Sequence, residues 1–252
     1  QESSANWTPT AINTAGSLRL SSGSEIITAV ETRQQILIWT DAALYSMRYV
    51  GPPFTFSINL LANNSSVIAP NAVVAVGDRV YWMDTENFFM YGGQIQAITC
   101  SVLRFVFDDI NLDEKSQFFA ASNRSFDEIF WFYCSSGSIL IDRYVKYNYA
   151  DNTWDIGALS RTAWVDFGIQ GKPRGSEVVD GTTVIYDHET GTTANGVAMT
   201  PFIESSVFSI GDGEQFTFIS RIIPDLDLTS ADPDTSVNYI IKARDYPGDA
   251  LT

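Results

Sequence analysis

Apolar residues stand at every second position or in short runs along the chain, and turn residues interrupt them about every ten positions. This spacing is typical of β-strands joined by hairpins, because apolar residues in a helix recur every three to four positions. The one helical signal covers Ile110 to Ala121, with Asn111 as a candidate N-cap. The pattern therefore predicts an all-β chain.

Short turns of Asp, Gly and Asn separate the apolar runs into hairpins. The runs predict strands at 35–40, 44–50, 73–76, 80–83, 88–91, 126–133, 144–149 and 153–154. Gly51-Pro52-Pro53 ends the second strand because proline cannot donate a hydrogen bond to a ladder. A run at 182–186, followed by a turn at 187–191, is expected to begin a fourth unit.

Tryptophan recurs on a strand just before a turn. Trp39, Trp82 and Trp131 are 43 and 49 residues apart, and a tyrosine-rich or phenylalanine-rich strand follows each. A period of roughly 40–50 residues with about four strands per unit is typical of a β-propeller blade. One blade cannot bury both of its faces alone, so large aromatic side chains fill the space against the next blade. Trp39, Trp82, Trp131 and Trp154 are accordingly the candidate blade-packing residues.

The prediction is an all-β, propeller-like fold with irregular four-stranded blades. About four blade-like units would form a single region over residues 1–252. A β-sandwich with scattered aromatic residues is the alternative. Because four units leave a ring incomplete, and because a strand-like run reaches almost to Thr252, we expect this chain to be part of a longer protein.

Composition and charge narrow the function classes. The chain has 252 residues, 45% of them hydrophobic, which excludes a disordered tail. No uncharged apolar run of about 18 residues occurs, so no membrane span is expected. Thirty Asp and Glu against fifteen Lys and Arg give a net charge of −15, the opposite of what binding to DNA phosphates requires.

Candidate chemistry is sparse. His188 is the single histidine, it lies among turn residues, and no Gly-x-Ser-x-Gly segment presents a nucleophile to it. Carboxylates are abundant, so a pair suited to glycoside hydrolysis stays open, although most acids stand beside turn-forming residues. We therefore expect no enzyme, no catalytic residues, no metal and no cofactor. Arg33 and Arg161 are each expected either to pair with an acid of a neighbouring blade or subunit or to be solvated.

Several stretches in one order carry a resemblance to a family. It is densest in NRSFDEIFWFY at 123–133 and continues through 147–149 and Trp154 to GALSRTA at 157–163. Further segments are TRQQILIWTD at 32–41, 45–51, 69–72, 80–83, 89–93, 188–191 and 223–227. Together they resemble the tail nozzle proteins of short-tailed bacteriophages, the group of tail tubular protein B and the packaged-DNA stabilisation proteins.

The resemblance implies a structural virion protein of the phage tail, assembled in the bacterial host cytoplasm. Such a protein self-associates in a ring, typically a hexamer, below the portal and adaptor, and it contacts the tail fibre proteins. It retains the packaged genome and forms the conduit for its ejection, with DNA passing through the lumen without specific binding. The family has no catalytic residues to carry over.

Two other functions remain open. The first is a carbohydrate-binding or glycan-cleaving propeller used in host adsorption, which would need exposed aromatic side chains around a cleft with two close carboxylates. The second is a generic propeller scaffold that presents loops to other proteins.

Overall fold

A computed structural model describes residues 8–10, 13, 15–168, 171–194, 196–199, 202–205, 218–223, 225 and 236–244. The chain is all-β, with one short α-helix and one 3₁₀-helix among seventeen strands in these residues. It divides into two compact units, Gln1–Gly191 and Thr192–Thr252, which are described separately.

The first unit contains three four-stranded antiparallel sheets in which the strands follow chain order. The first sheet consists of β1 (Ile26–Glu31), β2 (Ile36–Thr40), β3 (Ala43–Gly51) and β4 (Thr55–Asn63). The second consists of β5 (Val73–Val76), β6 (Arg79–Met83), β7 (Phe88–Tyr91) and β8 (Ile95–Ala97). The third consists of β9 (Phe119–Asn123), β10 (Glu128–Tyr133), β11 (Arg143–Asn148) and β12 (Thr153–Ala158). This order is the strand order of propeller blades.

A fourth, three-stranded sheet completes the first unit. It contains β13 (Ala163–Val165), β14 (Arg174–Val179) and β15 (Thr182–Asp187). The second unit contains a short hairpin of β16 (Thr193–Ala194) and β17 (Val197–Ala198).

Two short helices connect the second and third sheets. α1 spans Leu103–Asp109, and the 3₁₀-helix spans Leu112–Gln117. Asn111 caps the 3₁₀-helix, because its side-chain oxygen accepts a hydrogen bond from the Asp113 N–H at 3.2 Å. The predicted cap at Asn111 is therefore confirmed. The helix α1 was not predicted, because its Leu103-Arg104-Phe105 start alternates like a strand.

The core lies where the first three sheets meet. One cluster of buried apolar side chains contains residues of all three sheets and of the segment 67–72, which lies between the first two sheets in the chain. A small second cluster, Ile38, Ala43 and Tyr45, covers the other face of the first sheet. Alternating residues of each strand therefore face different neighbours, as a pleated strand requires.

The all-β prediction is confirmed, and the predicted hairpins at 35–50, 73–83 and 126–149 form, the last with strands at 128–133 and 143–148. The fourth unit was predicted wrongly, because 182–186 lies in its last strand and not its first. The sheet begins at Ala163, where a three-residue strand and the Gly171-Lys172-Pro173 segment hide the apolar pattern. The prediction of a single region over 1–252 stays a prediction.

Candidate functional site

The three repeated tryptophans occupy equivalent places in three successive sheets. Trp39, Trp82 and Trp131 are each the fourth residue of the second strand, on β2, β6 and β10. All three side chains are fully buried. Trp154 lies on β12 and is half-buried. A 43- and 49-residue spacing in the sequence thus corresponds to one position in the repeated sheet.

These tryptophans contact the neighbouring sheet. The rings of Trp39 and Trp82 meet edge to face, with centroids 5.3 Å apart and planes at 67°. Phe88 of β7 lies 4.8 Å from both Trp131 and Trp154 of the third sheet. The four candidate blade-packing residues therefore lie at contacts between successive sheets, and their contribution to stability is a prediction developed in the Discussion.

Hydrogen bonds reinforce the contact between the second and third sheets. Trp131 Nε1 donates to the Ala72 carbonyl at 3.2 Å, and Trp154 Nε1 donates to the Thr99 carbonyl at 2.9 Å. Among the described residues, Trp39 Nε1 and Trp82 Nε1 have no hydrogen-bond partner. The same side chain thus has a satisfied donor in one sheet and an unsatisfied one in the other two.

A cleft of about 380 Å³ lies between the third and fourth sheets. β10 and β11 supply Glu128 and Lys146, β13 supplies Trp164, and the turn after β15 supplies His188 and Glu189. The remaining lining residues are largely aromatic: Phe126, Phe130, Tyr144 and Leu159. We refer to this site as the glutamate cleft.

Two carboxylates in the glutamate cleft share one buried amide. Asn123 is fully buried, and its Nδ2 donates to Glu128 Oε2 and to Glu189 Oε1, each at 3.1 Å. The two carboxylate oxygens therefore lie no more than twice that distance apart. Glu189 has a φ of 54°, a left-handed conformation that non-glycine residues adopt at a cost. This turn geometry brings Glu189 to Asn123, 66 positions earlier in the chain.

Lys146 compensates the negative charge of the pair. Its Nζ lies 2.8 Å from Glu128 Oε1 and 3.4 Å from Asp155 Oδ2. Burial alone lowers the pKa of Lys146, but the hydrogen bond and charge of Glu128, together with Asp155, outweigh it, so that the pKa is raised. Lys146 therefore stays charged at neutral pH and holds Glu128 in place.

His188 and Trp164 form one wall of the cleft. Their ring centroids are 4.5 Å apart, and Trp164 also stacks on Phe130 at 5.5 Å. Arg161 Nε donates to His188 Nε2 at 3.0 Å. Burial, followed by the charge of Arg161, lowers the pKa of His188 to about 4. The imidazole is therefore neutral at pH 7, with its proton on Nδ1.

Arg161 supports this wall from behind. It is buried, its NH1 donates to Glu177 Oε2 at 2.8 Å, and its guanidinium lies 4.4 Å from the Tyr186 ring centroid. Of the two uses left open for arginine, pairing with an acid applies to Arg161. Arg33 also pairs, with Asp78 Oδ1 of the second sheet at 3.5 Å, but both side chains are largely exposed and such pairs contribute little to stability.

The cleft combines aromatic faces with two closely placed carboxylates. Sugars stack on aromatic faces, and hydrolysis of a glycosidic bond requires two close carboxyl groups. The sequence allowed a pair of catalytic carboxylates but did not indicate which residues would form it. Glu128, Glu189 and Asn123 belong to no local motif, and only the aromatic residues around Glu128 hinted at a site.

A second cleft, of about 720 Å³, lies between the second and third sheets. Tyr81, Tyr147, Tyr149 and Trp154 line it together with Arg79 and smaller residues. The Tyr81 and Tyr149 rings stack at 5.9 Å, and the Tyr147 and Trp154 rings are 4.8 Å apart. Burial, followed by a hydrogen bond with Asp127, raises the pKa of Tyr149 to about 12. We refer to this site as the tyrosine cleft.

The described part of the chain contains no group of three or more His, Cys, Asp and Glu side chains arranged to hold a metal ion. It also contains no helix that is long and apolar enough to cross a membrane.

Comparison with known proteins gives little. No family model and no curated protein matches the chain. Among solved structures, it is similar to the extracellular domain of a putative one-component system from B. thetaiotaomicron, with 11% sequence identity and a TM-score of 0.45. That match covers 71% of this chain and 23% of the other. A likeness at this level carries no argument about function.

Proposed function

We propose that this chain is part of a structural subunit of the tail nozzle of a short-tailed bacteriophage. In this role the protein assembles into a ring, typically a hexamer, that retains the packaged genome and conducts it during ejection. Its location is the virion tail, and its neighbours there are the portal-adaptor and tail fibre proteins. The proposal includes no enzymatic activity and no cofactor.

The observation that supports this proposal is the repeated placement of tryptophan. Trp39, Trp82 and Trp131 take the same position in three successive sheets, and each contacts a neighbouring sheet. Such a series packs side by side and builds a rigid body from small units. A rigid all-β body whose blades are fixed by buried aromatic side chains suits a part that resists the pressure of packaged DNA.

The charge of the chain is consistent with a DNA conduit. A surface with a net charge of −15 repels phosphates, so DNA slides past it without being held. A conduit must release DNA quickly, and a basic wall would bind it through counterion release. A lumen that proves neutral or basic in the assembled protein would contradict this part of the proposal.

The test is electron microscopy of the purified full-length gene product together with its mass in solution. We expect a ring of about six copies with an axial channel. Because some rings form only on their neighbours, the same product is also examined with its adaptor ring added. A product that remains monomeric in both conditions would overturn the nozzle proposal.

The glutamate cleft favours a second candidate function, binding or cleavage of a saccharide during host adsorption. The supporting observation is that Asn123 holds Glu128 and Glu189 together beside the Trp164 face. One carboxyl group would act as general acid and the other as base or nucleophile, as in glycoside hydrolysis. Without hydrolysis, the same groups would hydrogen-bond sugar hydroxyls.

Glycan-array binding and release of reducing ends from bacterial polysaccharide test this second candidate. Glu128→Gln and Glu189→Gln keep the side-chain size but remove the charge, and we expect either to abolish the signal. Glu86→Gln, on an exposed turn residue of the second sheet, is the matched control. A wild-type protein without signal, or a signal that survives both cleft variants, rules the candidate out.

A further inference from the structure

The β3–β4 hairpin extends beyond the first sheet. β2 pairs with β3 only as far as Met47, whereas β3 and β4 pair with each other as far as Gly51 and Thr55. Residues 48–56 therefore form a two-stranded ribbon, and no strand in the described part of the chain pairs with it as a third. We refer to this segment as the ribbon tip. Isolated two-stranded ribbons are marginally stable in water, so a projecting one gains from a partner.

The ribbon tip presents apolar side chains to solvent. Phe54 is 80% exposed and Tyr49 is 69% exposed, and Val50 and Phe56 are exposed beside them. The Tyr49 and Phe56 rings contact edge to face at 5.7 Å. Clustered apolar side chains of this kind mark interaction surfaces, whereas single exposed ones are ordinary.

The hairpin also lacks negative charge. Residues 43–63 contain no Asp or Glu and a single cation, Arg48, in a chain with thirty acidic residues. Two copies of this chain repel each other on average, because each has a net charge of −15. A contact between copies is therefore least opposed where both surfaces are free of acids, and the ribbon tip is one such surface.

The tyrosine cleft is a second surface of this kind. None of its described lining residues is acidic, and Arg79 is the one charged residue among them. Asp127, which is not a lining residue, is held in a hydrogen bond with Tyr149. Its volume lies in the range of sites that enclose small ligands or a few side chains. Aromatic walls are the surfaces that bury Phe, Tyr and Pro side chains most favourably at interfaces.

We infer that the ribbon tip of one copy docks into the tyrosine cleft of the next copy, with Phe54 as the inserted anchor. This inference rests on the proposed ring assembly and names the contact that builds it. The tip and the cleft are different surfaces of one chain, so the contact is head-to-tail, and head-to-tail contacts form a ring when the rotation between copies closes and an open chain when it does not. The shared lack of acidic residues is what selects a second copy as the partner.

The first test places a photo-crosslinking benzoylphenylalanine at position 54 of the full-length protein. Because Phe54 is exposed, the larger aromatic residue does not disturb the fold. After irradiation, mass spectrometry should find crosslinks from position 54 to residues 79–99 or 147–154 of another copy. Crosslinks to the hairpin of another copy, or none between assembled copies, would overturn the inference.

The second test measures association of the Phe54→Asp variant by sedimentation. We expect the dissociation constant to rise at least about tenfold, as for an interface anchor, because a charge cannot enter the aromatic cleft. Ile139→Asp is the matched control, since Ile139 is also apolar and 70% exposed but lies outside both surfaces. Its association should change less than about twofold.

The outcomes separate this inference from the nozzle proposal. Rings that form equally well with Phe54→Asp would refute the docking contact and leave the nozzle proposal standing. Crosslinks into the tyrosine cleft within open chains or dimers, without rings, would support the contact and refute the nozzle proposal. A wild-type protein that stays monomeric both alone and with its adaptor ring added would refute both.

Discussion

Replacing Trp131 and Trp82 by phenylalanine should affect stability very differently, although the two residues occupy the same strand position. Both side chains are fully buried between sheets. Trp131 Nε1 donates to the Ala72 carbonyl at 3.2 Å, whereas Trp82 Nε1 has no partner among the described residues. Comparing the two variants therefore separates the contribution of aromatic packing to stability from the contribution of the indole N–H.

The expected difference can be worked out from these contacts. Either replacement removes part of a buried ring and leaves a small cavity, which costs about 1–2 kcal/mol. Trp131→Phe also loses a hydrogen bond, about 1 kcal/mol, and the Ala72 carbonyl keeps the Met83 N–H at 3.1 Å. Trp82→Phe instead removes an unsatisfied buried donor and regains about 1–3 kcal/mol. Trp131→Phe should therefore be less stable than Trp82→Phe by about 2 kcal/mol or more.

Denaturant unfolding followed by far-ultraviolet circular dichroism measures this difference, since both variants lose a fluorophore. The comparison holds when the variants share one m-value, so that a shift of midpoint reports stability. Equal losses for the two variants, or a larger loss for Trp82→Phe, would refute the reasoning that the indole N–H distinguishes the two sites.

Three further changes have defined expectations. Arg161→Ala leaves half-buried Glu177 without its cation and should lower the free energy of unfolding by about 1–3 kcal/mol, measured by urea unfolding. The pKa of His188 falls from 6.5 in the unfolded chain to about 4 in the folded protein. The neutral imidazole therefore stabilises the folded protein fully above pH 6.5, and this stabilisation is lost as the pH falls towards 4. The loss, on the order of 1–2 kcal/mol after solvent screening, should be absent from the unfolding curves of His188→Gln. Gly157→Ala would place a Cβ 2.5 Å from the Tyr144 ring and should cost about 1–3 kcal/mol in thermal unfolding, whereas Gly168→Ala, with nothing within 4 Å, should cost little.

Local signals predicted eight of the twelve strands in the first three sheets, and they missed β1, β4, β8 and β9. Their strands pair with their neighbours in the chain, and the turns between them carry residues suited to left-handed backbone, such as Gly77 at φ 61° and Asn152 at φ 56°. Where pairing is sequential, hydrophobic alternation and turn residues together specify a hairpin. The tryptophan period then identified the repeated unit before any contact was known.

Local sequence patterns did not predict the glutamate cleft. It depends on Asn123, a polar residue that is fully buried at the end of β9, and on Glu189, whose backbone is left-handed. Both residue types read as turn or surface in a sequence. Their meeting results from the packing of the fourth sheet against the third, which no pattern within either segment encodes.

The fourth sheet differs from the first three at the tryptophan position. In the first three sheets the fourth residue of the second strand is tryptophan, and each of these side chains fills a boundary with a neighbouring sheet. At that position of β14 the chain has Glu177, which pairs with buried Arg161 at 2.8 Å. An ion pair needs hydrogen-bond partners and partial solvation, and so cannot fill a boundary as an indole does. The change from tryptophan to glutamate thus places an ion pair where the other sheets have an indole, and Arg161 also donates from Nε to His188 at the wall of the cleft.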